Sequence, residues 1–180
     1  MSVDSRCLLM LTIDQLNALD RAAFTAALGH LFEHSPWVAY ETWVRRPFRD
    51  PMHLHAELCA TMCSAAPARQ LALIRAHPDL AGRLTQQNAL TAESTREQAS
   101  AGLDRLTEEE FAEFQRLNAA YLARFSFPFI ICARLNAKSA ILAAMIDRLP
   151  QTPEYEITTA LGEIKKIAHL RLNDLLERTL

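Results

Sequence analysis

The sequence predicts an all-α protein, a single compact domain of about eight helices. Only 4 of the 180 residues are glycine, too few for a sheet with many tight turns, and alanine and leucine recur at helical spacings. Half of the residues are hydrophobic and 22% are charged, a composition typical of globular domains and unlike that of disordered chains. At about 150 residues per domain, the length favours one domain over residues 1–180, with residues 1–12 as a ragged leader.

Capping side chains and prolines mark the expected helix starts. A side chain that accepts a hydrogen bond from the first turn, or a proline within that turn, stabilises a helix N-terminus. Such starts occur at Asp20, Ser35-Pro36, Asp50-Pro51, Ala66-Pro67, Thr91, Thr107 and Thr152-Pro153. The first of these helices is expected to end near His34, the fourth near Ala76 and the fifth at Gly102.

The second half of the chain carries two long amphipathic patterns. Thr107 and Glu110 match a capping box, in which each side chain accepts a hydrogen bond from the other residue's backbone N–H. The apolar face of the helix that follows is Phe111, Phe114, Leu117, Tyr121 and Phe125, and the helix meets Pro128. A buried helix around 141–149 precedes a final helix from Pro153. The expected inward residues of that final helix are Ile157, Leu161, Ile164, Ala168 and Leu175.

Charge and cysteine usage exclude several classes of protein. With 19 basic and 21 acidic side chains, the net charge of −2 offers no broad basic surface, so we expect neither nucleic acid nor membrane as a partner. The longest apolar runs, such as 127–133, are far shorter than the roughly 20 residues of a membrane span. Cys7, Cys59, Cys63 and Cys132 have no disulfide-framework spacing. We therefore expect a cytoplasmic protein with reduced thiols.

Residues 76–82, Ala-His-Pro-Asp-Leu-Ala-Gly, end a helix in a loop stiffened by proline. An imidazole held there, that of His77, can exchange protons near neutral pH, as a general acid or base must. A histidine at a helix C-terminus also interacts favourably with the helix dipole. The loop alone leaves a catalytic role and a capping role open.

A second polar group comprises Ser94, Glu97 and Gln98. Ser94 and Glu97 share one face of the predicted helix, and Gln98 lies one turn from Ser94, so hydroxyl, carboxylate and amide are presented together. Such a trio can bind a ureido or imide edge. Taken alone, however, the pattern favours an ordinary solvated helix face.

The apolar run Phe127–Ala133 and the lone Arg171 complete the candidate site. The run is typical of a protein core, but a chain that enters through a proline without starting a helix leaves backbone N–H and C=O groups for a ligand. On the final helix, the guanidinium of Arg171 can bind a carboxylate bidentately or extend along the surface.

A metal site is a weak alternative. His55, Cys59 and Cys63 follow one another at i+4 spacing on one helix, and imidazole and thiolate suit zinc. Structural zinc sites usually take ligands from two segments, and free cysteines are commonly buried as small apolar side chains. We therefore predict no metal.

Three motifs together closely resemble the 2-oxo-4-hydroxy-4-carboxy-5-ureidoimidazoline (OHCU) decarboxylase family. They are residues 76–82, Ser94-x-x-Glu97-Gln98-x-x-Ala101-Gly102-Leu103, and Phe127-Pro128-Phe129-Ile130. The resemblance extends from about Leu16 to Leu176. It implies an all-helical, cofactor-independent enzyme of urate catabolism that converts OHCU to (S)-allantoin and carbon dioxide, and it suggests a homodimer.

The resemblance also implies roles for individual residues. His77 would be the acid–base residue, with Glu97 orienting it or the substrate. Arg171 would lie in the site and counter anionic charge. The substrate-binding residues would be Pro78, Ser94, Thr95, Arg96, Glu97 and Gln98, together with Phe129, Ile130, Ile131, Cys132 and Ala133. One departure is Ser126, where many relatives have glycine before the Phe-Pro-Phe run.

The implied chemistry needs no cofactor, because the ring imine of the substrate can accept the electron pair left by carbon dioxide.

Two alternative functions remain. A His-Pro-Asp tripeptide between helices also marks J-domain co-chaperones, but here the preceding helix has only Arg69 and Arg75 as basic residues and Leu80 follows the tripeptide. The other alternative is a ureide-binding protein without turnover.

Overall fold

The computed structural model describes residues 11–78, 80, 97 and 99–177, and all regular structure in these ranges is helical. Eight α-helices are assigned there: α1 (Ile13–Ala18), α2 (Arg21–Leu28), α3 (Trp37–Thr42), α4 (Pro51–Ser64), α5 (Pro67–Ala76), α6 (Glu108–Phe125), α7 (Lys138–Arg148) and α8 (Pro153–Glu177). Three 3₁₀ turns lie at Gly29–Leu31, Trp43–Arg45 and Ala133–Leu135. The predicted all-α class is confirmed. None of the helices in these ranges is both long and apolar enough to cross a membrane.

Most predicted helix starts coincide with observed caps. The Asp20 carboxylate accepts a hydrogen bond from the N–H of the third residue of α2, and that of Asp50 does the same for α4. Thr107 and Glu110 form the predicted capping box of α6. Thr91 lies outside the described residues, but Gly102, where its helix was expected to stop, has the positive φ of 72° that suits glycine.

The N-terminal region differs from the expectation in three places. Thr12, assigned to the leader from sequence, forms a capping box with Gln15 and starts α1. The helix from Asp20 ends at Leu28 instead of near His34, because a 3₁₀ turn follows directly. The Ser35 side chain makes no cap, since Pro36 itself occupies the cap position of α3.

The long helix α8 is the element on which the others converge. It spans about 37 Å at 1.5 Å per residue and packs against both α4 and α5. Of its five predicted inward residues, Leu161, Ile164 and Ala168 are buried, whereas Ile157 and Leu175 are half-buried. The same face also buries three charged residues, Glu156, Glu163 and Arg171. The apolar periodicity of the sequence does not explain why these charges are buried.

Between α6 and α7 the chain is irregular from Phe127 to Cys132, as the proline-stiffened sequence predicts. Ser126 precedes this stretch, and its φ of 60° lies in the left-handed region. The Arg75 guanidinium donates to the Ser126 carbonyl oxygen over 3.0 Å and links the end of α5 to this turn. Ser126 thus has a left-handed backbone conformation, which glycine adopts without steric cost but serine does not.

We expect Ser126→Gly to raise the free energy of unfolding by about 0.5–1 kcal/mol, because glycine removes the left-handed strain although it adds entropy to the unfolded chain. Ser126→Ala is the matched control, since it removes the hydroxyl and keeps the strain. Urea denaturation of both variants measures the difference. If the glycine variant were no more stable than the alanine variant, the inference that the backbone at Ser126 is strained would be wrong.

Candidate active site

Arg171 on α8 lies at the centre of a buried ionic cluster. Its Nε donates to Oε1 of Glu97 over 2.9 Å and its Nη2 to Oε2 of Glu97 over 3.2 Å, so the pair is bidentate. The same Nη2 donates to Oε1 of Glu33 over 2.8 Å. The exposed fractions of the three residues are 4% for Arg171, 6% for Glu97 and 9% for Glu33. We call these three residues the Arg171 cluster.

The guanidinium of Arg171 is almost fully engaged by the protein. Nη1 donates to the His30 carbonyl oxygen over 3.4 Å, so four of the five N–H groups are used. Burial alone would lower the pKa of Arg171, but the carboxylates of Glu97 and Glu33 raise it above its usual value. Arg171 is thus a permanent cation whose principal contacts are protein carboxylates. The interpretation as a surface arginine is wrong.

Glu97 is the described member of the predicted Ser94, Glu97 and Gln98 trio. Its carboxylate is buried against Arg171, so the solvated-face interpretation is wrong for this residue. Ser94, Thr95, Arg96 and Gln98 lie outside the described residues. The bidentate pair fixes both oxygens of Glu97 in one plane, which gives the carboxylate a defined orientation.

His77 ends α5 and is buried. Its Nδ1 lies 3.0 Å from the Leu73 carbonyl oxygen in the last turn of the same helix. A carbonyl oxygen can only accept, so Nδ1 carries a proton, and in the neutral imidazole Nε2 holds the lone pair. The predicted capping contact with the helix end is therefore present, and it sets the tautomer of the imidazole. Half-buried Pro78 follows directly.

The predicted binding run Phe129–Ala133, here called the site segment, is held by charged side chains at two points. Nη1 of Arg148 donates to the Ile130 carbonyl oxygen over 2.9 Å. The Cys132 N–H donates to Oε2 of Glu163 over 2.8 Å, and Lys166 pairs with the other oxygen of that carboxylate over 2.6 Å. Between these points the backbone of Ile131 bridges the two anchors.

The four other residues of the site segment are buried, whereas Ile131 is half-buried. Burial raises the pKa of the Cys132 thiol, and the neighbouring carboxylates of Glu163 and Glu97 add to this effect. Cys132 is thus a neutral thiol, and the charge of Glu97, a member of the Arg171 cluster, contributes to its raised pKa. The side chains of this run pack into the core, while its backbone makes polar contacts with Arg148 and Glu163.

The His55, Cys59 and Cys63 stripe packs against α8. Nε2 of His55 lies 2.9 Å from the Lys165 carbonyl oxygen and must donate to it, so that nitrogen carries a proton. Burial lowers the pKa of His55 and raises that of the Cys59 thiol to about 11. Within the described ranges no group of three or more His, Cys, Asp or Glu side chains is arranged to hold a metal ion.

Sequence reasoning missed Glu33, Arg148, Glu156 and Glu163. Their signal in the sequence is a charged residue at a position that the apolar pattern assigns to the core. On α8, Glu156 and Glu163 are seven residues apart and share the face of Ala160 and Ile164. Glu33 directly follows buried Leu31 and Phe32.

Glu33→Ala should lower the free energy of unfolding by about 3 kcal/mol, because it leaves part of a buried guanidinium uncompensated. Glu41→Ala is the control, since it breaks an ion pair with Arg69 whose side chains are 42% and 43% exposed, and it should cost about 0–1 kcal/mol. Urea denaturation measures both. Equal losses in the two variants would contradict the stabilising role of the buried cluster.

Comparison with known proteins agrees with the resemblance. The family model described as OHCU decarboxylase matches residues 17–173. A Mus musculus protein named 2-oxo-4-hydroxy-4-carboxy-5-ureidoimidazoline decarboxylase is 43% identical over 162 residues, which cover 90% of this chain and 91% of that protein.

Two solved structures are also similar. A crystal structure of (S)-allantoin synthase has a TM-score of 0.73 at 30% identity and covers 92% of this chain, which spans 54% of that one. A crystal structure of OHCU decarboxylase in the presence of (S)-allantoin shares the fold, with a TM-score of 0.66 at 21% identity and coverage of 88% and 99%. The co-chaperone interpretation is therefore wrong: the chain belongs to the OHCU decarboxylase family.

Proposed function

We propose that His77 and Glu97 carry out the chemistry of this family in a site organised by Arg171. The chain is a carboxy-lyase that decarboxylates OHCU to allantoin in urate degradation. The observation that supports the residue assignment is the Arg171 cluster, which holds a carboxylate from the second predicted motif in a buried, oriented position.

His77 moves the protons of the reaction. The carbon–carbon bond to the substrate carboxylate breaks, and its electron pair forms a carbon–carbon double bond as the ring imine nitrogen accepts the displaced pair and a proton from water. The Nε2 lone pair of His77 takes the proton of the substrate hydroxyl, which becomes a carbonyl, and returns a proton to the ring carbon that bears the ureido group. Delivery to one face gives the S enantiomer.

Arg171 acts through Glu97 and not by binding the substrate carboxylate. Four of its N–H groups already bind protein oxygens, so a substrate anion would have to displace Glu97 or Glu33. Glu97 held in this way accepts a hydrogen bond from the Nε2–H of the imidazolium that forms once His77 has taken the hydroxyl proton, and so keeps the proton path aligned. Fixed orientation of such a group is one source of rate acceleration.

The ureido and ring amide groups of the substrate are recognised by residues 94–98 and by the site segment. Ser94, Thr95, Arg96 and Gln98 supply side-chain groups, as the family resemblance implies, and Pro78 packs against the ring. In the site segment, the Ile130 carbonyl and the Cys132 N–H are used internally, so the backbone of Ile131 between them is the group that meets the ureido edge.

His77→Asn should fold and bind allantoin but lose stereoselective acceleration, because asparagine keeps a hydrogen bond and cannot exchange a proton. General acid–base steps typically contribute about 100- to 10,000-fold. The assay generates OHCU from urate with urate oxidase and hydroxyisourate hydrolase and follows (S)-allantoin by circular dichroism. Since OHCU also decays to racemic allantoin, the optical signal separates catalysis from background. Production of (S)-allantoin at nearly the wild-type rate would leave His77 as a helix cap only.

Glu97→Gln should reduce turnover by about 100-fold or more, because the amide retains the size but loses the negative acceptor. It should also lower the free energy of unfolding, because Arg171 loses part of its buried compensation. The steady-state rate in the coupled assay and the urea midpoint are measured on the same preparation. Wild-type turnover by the folded fraction of the variant would show that Glu97 only pairs with Arg171.

We further infer a homodimer in the cytoplasm. Free thiols at Cys59, Cys63 and Cys132 support a reducing compartment. Tyr40, Val44 and Met52 expose apolar surface within one short stretch of the chain, which supports self-association. Sedimentation equilibrium of the purified protein measures the oligomeric state.

A further inference from the structure

Tyr121, Arg148 and Glu156 form a second buried ionic group directly behind the site segment. They come from α6, the end of α7 and the first turn of α8, so three helices meet at one carboxylate. Glu156 is completely buried, and the Arg148 side chain is 11% exposed. We call this group the Arg148 brace.

The contacts within the brace converge on Glu156. The Tyr121 hydroxyl donates to Oε2 of Glu156. Arg148 donates to the same oxygen from Nε over 3.0 Å and from Nη2 over 2.9 Å. Burial, and next the adjacent Glu156 carboxylate, raise the pKa of Tyr121, so its hydroxyl remains a donor at every physiological pH. The carboxylate thus fixes both the position and the plane of the guanidinium.

The free side of that guanidinium reaches the site segment in two ways. Nη1 donates to the Ile130 carbonyl oxygen over 2.9 Å, and the guanidinium carbon lies 4.4 Å from the centre of the Phe129 ring. One planar group therefore holds a backbone carbonyl and an aromatic face at the same time. An ammonium group can pair with Glu156, but it cannot reproduce the fork and the flat stacking surface together.

The opposite end of the segment is held by Glu163, which accepts from the Cys132 N–H. The backbone of Ile131 thus lies between an anchor supplied by Arg148 and an anchor supplied by Glu163. A shift of one anchor changes the angle at which the Ile131 backbone is presented, even when the protein remains folded. Small misplacements of binding groups reduce activity strongly.

We propose that Tyr121, Glu156 and Arg148 are positioning residues that set substrate affinity by fixing the backbone of the site segment at Ile130. This inference rests on the proposed function, in which that backbone binds the ureido edge. The brace touches no reacting atom, so it governs binding of substrate and product and leaves proton transfer at His77 intact.

The test compares Arg148→Lys and Tyr121→Phe with the control Arg134→Lys. Arg134 pairs bidentately with Asp174 over 2.6 and 3.1 Å, just beyond the site segment, so its substitution also disrupts a bidentate arginine pair of α8. Tyr121→Phe removes one hydroxyl and keeps the ring packed among Phe125, Phe127 and Phe129. It serves as the brace variant if Arg148→Lys does not fold.

The measurements are kcat and KM in the coupled circular dichroism assay, the Kd of (S)-allantoin by calorimetry, the pH profile of kcat, and the urea midpoint. We expect Arg148→Lys to lower kcat/KM by about 10- to 100-fold, chiefly through KM. The Kd should rise in parallel and the pH profile should keep its shape. Tyr121→Phe should change KM and Kd in the same direction by less, and Arg134→Lys should retain the wild-type constants.

A destabilised brace variant with unchanged KM and Kd would show that the brace is purely structural and would overturn the inference. Equal rises of KM in the brace variants and in Arg134→Lys would overturn it as well. Neither outcome affects the proposed function, which fails separately if the wild-type chain makes no (S)-allantoin.

Discussion

The structure depends on the burial of one cation, Arg171, at a position where water does not solvate it. Removal of a guanidinium from water costs several kcal/mol, and the cost is offset only when carboxylates meet it with good geometry. Glu97 and Glu33 do so from positions 74 and 138 residues away along the chain. Through these ion pairs, Arg171 connects the last helix to Glu33, in the turn after α2, and to Glu97.

The same helix supplies the other fixed charges of the site. Glu156, Glu163 and Arg171 recur at intervals of seven and eight residues, so α8 presents them in a row along its buried face. Glu156 holds the site segment through Arg148, Glu163 holds it directly, and Arg171 holds Glu97. One helix, α8, therefore sets the distance between the site segment and Glu97.

Local signals made the helices predictable, whereas the charged contacts depend on the tertiary fold. Asp20, Asp50 and Thr107 cap their helices through residues three positions away, so a short stretch of sequence is sufficient to identify them. The family motifs likewise identify His77 and Glu97. Glu33 and Arg148 carry no local motif, because their partners are brought to them by packing. The 3₁₀ turn after Leu28 was missed because the apolar stripe continues through Leu31 and Phe32 while the backbone geometry changes.

The two proposed reactive side chains are oriented by interactions of different range. His77 binds a carbonyl of its own helix, so its tautomer is set as soon as α5 forms. Glu97 gains its bidentate contact with Arg171 when α8 docks, and Glu33 binds the same guanidinium. The base is thus prepared by local structure, and the carboxylate that directs it is prepared by the complete fold. A chain with its helices formed but α8 undocked would retain the imidazole tautomer and lack the Arg171–Glu97 pair, so assembly of the proposed site follows tertiary packing and not helix content.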